Sequence, residues 1–130
     1  MIAQRASQLY LLNMALLATH EIDSAYWHEW EMFRLPGSIQ FFLMLNLALL
    51  LFFLYGLVQV VQWARYARAF SYMLAGAGLF AFTIHMAFLV LGYPQFRSPV
   101  SVGLLVAILA VSIAQIVVVR REQILSKGVH

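Results

Sequence analysis

No cysteine occurs among the 130 residues. That excludes disulfides, thiolate metal sites, cysteine nucleophiles and thiol redox chemistry. Charge is almost as scarce. Asp, Glu, Lys and Arg make up 10% of the chain against 64% hydrophobic residues, and mean hydropathy is +0.86. A soluble domain carries far more charge, so an ordinary water-soluble fold is excluded. Phosphate loops, nucleophile elbows and nucleic-acid motifs are also missing. The net charge of +3 is small and its cations sit at segment ends, so no nucleic-acid partner is expected. The first apolar run meets no small-residue cleavage site, so a cleavable leader is not expected either.

What is present is apolar sequence in long runs. A bilayer core of about 30 Å needs about 20 mostly apolar residues to cross it. Four segments meet this length, at about 7–33, 38–63, 69–92 and 99–119. Backbone groups in lipid must be satisfied internally, which makes each segment a helix. The expected fold is all-α: a single polytopic domain over residues 1–130 with four transmembrane helices. Pro36 and Pro99 are placed at helix starts, where a missing N–H costs nothing.

Four crossings would put Arg5, Arg65, Arg68, Arg120, Arg121 and Lys127 on one side and only Arg34 and Arg97 on the other. The positive-inside rule then places both termini in the cytoplasm, in a bacterial inner membrane. Trp63, Tyr66 and Tyr72 fit the inner aromatic belt, and Tyr26, Trp27, Trp30 and Tyr93 the outer one.

Two hexapeptides, FRLPGS (33–38) and FRSPVS (96–101), share Phe, Arg, Pro and Ser. Each follows a segment carrying a histidine, His20 or His85, and each opens the next. The expectation is two pseudo-repeated helical hairpins related by an axis along the membrane normal. His20 and His85 would then face each other, and Asn46 would reach a similar depth.

The scarce acids are not spread evenly. Four of the five (Glu21, Asp23, Glu29, Glu31) lie in HEIDSAYWHEWE, residues 20–31, together with His20 and His28. If this stretch is one continuous helix, a turn of 100° per residue puts His20, Glu21, Ser24, Trp27, His28 and Glu31 within roughly 120°. Asp23 flanks that arc, and Glu29 and Trp30 point elsewhere. Ionisable groups inside a membrane are costly, face the interior and mark function by default.

Three readings compete. Imidazoles and carboxylates suit a divalent metal, Zn or Fe. The candidate ligands are His20, Glu21, His28 and His85, supported by Asp23, Ser24, Glu31 and Asn46. A metal with an open position would allow catalysis. Alternatively the cluster is a hydrogen-bonded packing network, in an accessory subunit of a larger membrane complex or a homo-oligomer. Haem ligation by two histidines, or proton transfer, is the third and weaker reading. No span is broken mid-way by Pro or Gly, which argues against transport.

The stretch HEIDSAYWHEWEMFRLPGSIQFFLMLN, followed by His85 and FRSPVS, resembles a family of small bacterial four-helix membrane proteins of unknown function. A more distant resemblance, to membrane proteins named for an HxxEE motif, rests on His28 and Glu31. Met32 stands where that motif has its second Glu. Neither resemblance implies an activity.

Overall fold

A computed structural model describes residues 2–127, and all elements found among them are helical. The helices are α1 (Ile2–Tyr26), the four-residue α2 (Glu29–Met32), α3 (Ser38–Val61), α4 (Ala67–Val90) and α5 (Pro99–Lys127). Pro99 opens α5, as its missing N–H allows. Pro36 lies in the turn before α3, whose N-cap is Gly37 at φ 81°.

The four crossings expected from the sequence are not supported. Among the described residues, three helices are long and apolar enough to cross a membrane: Ser38–Val61, Ala67–Val90 and Pro99–Leu125. Helix α1 has the length but not the apolarity. Gln4, Arg5, Ser7 and Gln8 load its start, Asn13 its middle, and His20, Glu21, Asp23 and Ser24 its end. An amphipathic chain of that kind packs its polar groups against partners, which is what α1 does.

The two hexapeptides also differ in backbone course. In the first, Arg34, Gly37 and Ser38 have positive φ. In the second, Phe96 does. The first turn contains α2, whereas the chain between α4 and α5 has no helix. The paired-hairpin description of the fold therefore does not carry over to the structure.

Helix α1 lies along the three apolar helices and touches each of them, whereas α3 and α5 do not meet among the described residues. Helix α1 runs antiparallel to α3. Its Ser7 hydroxyl reaches the Val60 carbonyl at 3.4 Å, and its Tyr10 hydroxyl donates to the Phe53 carbonyl at 2.9 Å. Tyr10, Met14, Val60, Ala67, Phe70 and Leu74 form the core at this end. Gly56 lets α3 come this close, because a Cβ there would strike the Tyr10 hydroxyl and the Phe70 ring.

A polar layer joins α1, α4 and α5 further along. Asn13 Nδ2 donates to Gln115 Oε1 at 2.9 Å and to Ser112 Oγ at 3.1 Å, and Gln115 Nε2 donates to the Ser71 carbonyl at 2.9 Å. All four residues are buried. Gly78 faces the same layer, and a Cβ there would collide with Ser112 Oγ. These bonds fix how α1 sits against α4 and α5, and so set the height at which His20 meets His85.

Candidate metal centre

Helix α1 ends where the polar stretch becomes dense. His28 N bonds back to the Ala25 carbonyl at 3.3 Å, and His28 itself is left-handed at φ 54°. A left-handed residue just past the last turn is a common way for a helix to stop. Glycine usually fills such a place, but histidine tolerates it better than most side chains. Asp23 Oδ1 accepts a hydrogen bond from Trp27 Nε1 at 3.1 Å and holds the side chain at the break. The chain then re-forms as α2, which docks on α3 through buried Trp30, 5.4 Å from the Phe42 ring.

This break redirects the acids. On a continuous helix Glu29 would turn away from His20. With the chain reversed at His28 it points inward and is 7% exposed. It joins His20 from α1 and His85 from α4, and one ligand atom from each of the three lies within 4.8 Å of the others. The imidazoles meet edge to face, with centroids 4.5 Å apart. His85 Nε2 lies 3.4 Å from Glu29 Oε1.

The hydrogen bonding around this trio is incomplete. His85 Nδ1 is 2.7 Å from the Ala81 carbonyl, which can only accept, so Nδ1 carries a proton; Nε2 faces Glu29, offering a lone pair when the ring is neutral and an ion pair when it is protonated. That Nε2, both ring nitrogens of His20, and Glu29 Oε2 are buried and make no hydrogen bond. The oxygens Ser24 Oγ and Asp23 Oδ2 are in the same position. Each such group costs about 1–3 kcal/mol unless something satisfies it. Burial opposes the charge on Glu29, but His85 and Ser24 beside it, together with the charge of the imidazoles, hold its carboxyl below the usual carboxylate range.

Two histidines and one carboxylate are ordinary ligands for zinc or non-haem iron. Metal bonds of about 2.0–2.2 Å bring tetrahedral neighbours to about 3.3 Å from one another. Small side-chain rotations would close the present spacing. Phe96 covers the far side of both histidines, with centroids 4.4 Å from His85 and 5.9 Å from His20. It is fully buried and held at φ 64°.

The other residues singled out in the sequence are placed differently. His28 is exposed, stacks on Trp30 at 4.9 Å, and lies 3.8 Å from an equally exposed Glu31. Neither belongs to the trio. Glu21 is half-buried beside it, within reach of the Asn46 amide. Asn46 Nδ2 itself donates to the Phe42 carbonyl at 3.0 Å. Ser24 is buried next to Glu29. The residue that sequence reasoning missed is Glu29. Periodicity along an unbroken helix conceals it, and no proline or glycine marks the break at His28.

Residues 6–122 match a family of unknown function, DUF6713. The chain belongs to that family. No curated protein and no solved structure matches it. The match takes in most of α1, all of α2 to α4, α5 as far as residue 122 and all three residues of the trio, and it brings no activity with it.

Proposed function

We propose that this family member is a membrane protein that binds a divalent metal, zinc or iron, through His20, Glu29 and His85. The observation that supports this is the set of buried ligand atoms without hydrogen-bond partners, drawn from three helices and gathered within 4.8 Å. Apart from the His85–Glu29 pair at 3.4 Å, these atoms are not used as a packing network would use them, above all the two nitrogens of His20. The chain does contain such a network, at Asn13, Ser112 and Gln115, where hydrogen bonds are formed. Three protein ligands leave further positions on the metal for a substrate or water, which is the arrangement of catalytic rather than closed structural sites. The edge contact between His20 and His85 leaves no slot for a porphyrin between them, which weighs against haem.

The apolar helices suit contact with a lipid bilayer. We place the Arg65–Arg68 turn and the Arg120–Arg121 end at the cytoplasmic face by the positive-inside rule. Helix α1 starts at the same end of the fold, its Ser7 beside Val60, but it is not among the candidate spans.

Cobalt titration tests the site. Co²⁺ added to metal-stripped protein should give saturable visible bands of a nitrogen and oxygen ligand field. Glu29→Gln and His85→Ala should abolish them. Bands of equal strength in the wild type and both variants would remove the assignment.

A further inference from the structure

A cavity of about 760 Å³ lies between α1, α3 and α4, and His20, Glu29 and His85 form part of its wall. Its polar lining is confined to one end, where Glu21 and Asn46 join the trio. The rest is apolar and runs to Met14, Phe53 and Leu74. From Phe42 to Phe53 along α3 the shaft is about 16 Å long at 1.5 Å per residue. Its α3 and α4 walls fall in the middle of two candidate membrane spans, the depth of bilayer hydrocarbon. Ile22, Leu43 and Phe80 line it and are also exposed on the outer surface, so the cavity opens sideways. Phe96 closes the opposite side of the histidines.

We infer that the substrate or ligand of this centre is a single-chain lipid that enters from the bilayer, lays its tail along the apolar shaft and presents an oxygen-bearing head group to the metal. The inference rests on the metal reading above. A water-soluble substrate would find one polar end and a long unpaired apolar wall. A lipid chain matches both, because its methylenes pass from bilayer hydrocarbon to an apolar wall at little cost and stay out of water. The head group is small, since His20, Glu21, Glu29, His85 and Asn46 crowd that end. Carboxylate and hydroxyl oxygens are the ligands zinc and iron accept beside imidazole.

The test uses the full chain in detergent, loaded with Co²⁺, with cis-parinaric acid as a fluorescent fatty-acid probe. Saturable fluorescence displaced by palmitate is expected. Ala77→Phe, on α4 about two turns from His85, and Ala18→Phe, on α1, would each plug the shaft without removing a ligand. Either should weaken probe binding at least tenfold while Co²⁺ stays bound. Palmitate should shift the Co²⁺ bands, and hexadecane, which lacks a head group, should not. Retained Co²⁺ with no saturable probe binding would overturn the lipid inference and leave the metal reading intact. Probe binding unchanged in both plugged variants would overturn it too. Probe binding lost on plugging, in a protein that takes up no Co²⁺, would support the lipid shaft and overturn the metal reading. The hexadecane comparison in wild type still decides the matter if a plugged variant fails to fold.

Discussion

His20 and His85 lie edge to face, 4.5 Å between ring centroids, on two helices that run in the same direction through the core. Locally, the His85 ring is tied through Nδ1 to the Ala81 carbonyl, while His20 makes no hydrogen bond. Their height is set by the polar layer of Asn13, Ser112, Gln115 and Ser71, two turns away along α1, and by the glycines that let the helices approach. The meeting of the two rings is thus a consequence of packing elsewhere.

Asn13 and Gln115 should be coupled. Asn13→Ala strands a buried Gln115 amide and Ser112 hydroxyl, so it should destabilise by about 1–3 kcal/mol. The double variant Asn13→Ala/Gln115→Ala should cost less than the two single changes added. Measured couplings of this kind average about 0.6 kcal/mol and reach about 1.7. Unfolding in mixed detergent measures it. Strict additivity would show that the hydrogen bond contributes nothing in the folded chain.

Three glycines should respond differently to alanine. A Cβ at Gly78 would meet Ser112 Oγ and come within 3.0 Å of Ile108 Cγ2, and one at Gly56 would press on Phe70 at 2.5 Å. Each substitution should destabilise by about 1–3 kcal/mol, the usual cost of overpacking. Gly76 has nothing within 4 Å. Gly76→Ala should be neutral or stabilise slightly through helix propensity, by less than about 1 kcal/mol. Thermal melts of the three variants check the order, and equal effects would contradict the packing described.

The left-handed residue at His28 should matter through its backbone and not its imidazole. His28→Gly keeps φ 54° accessible without a Cβ penalty, so the variant should hold metal like the wild type. His28→Val puts a β-branched side chain into that region, at a cost of about 1–3 kcal/mol. It should also lower metal affinity by turning Glu29 out of the site. Metal titration of both variants tests this. Loss of metal in His28→Gly would make the imidazole a ligand and overturn the trio.

Most of the helical course was legible in the sequence, because long apolar runs in lipid leave the backbone no other choice. The break between the segments ending at 63 and starting at 69, found at 62–66, and the start at Pro99 follow from composition and proline chemistry. The status of α1 was not legible from length alone. Asn13 and the dense polar ends lower its apolarity below that of a span, and its length hides this. His20 and His85, which the structure brings together, stand out in the sequence because buried ionisable residues are expensive and rare. Glu29 was hidden by an assumption of helical continuity. A single left-handed residue reverses the faces that follow it, so Glu29 took the place that periodicity had given to His28 and Glu31. Local sequence without proline or glycine does not announce such a break.

The most direct measurement is the metal content of gently purified protein by elemental analysis, comparing wild type, His20→Ala, Glu29→Gln, His85→Ala and His28→Ala. Stoichiometric zinc or iron is expected in the wild type and in His28→Ala, with loss to background in the other three. A wild type that holds no metal after supplementation, or a Glu29→Gln variant that holds as much as wild type, would contradict it.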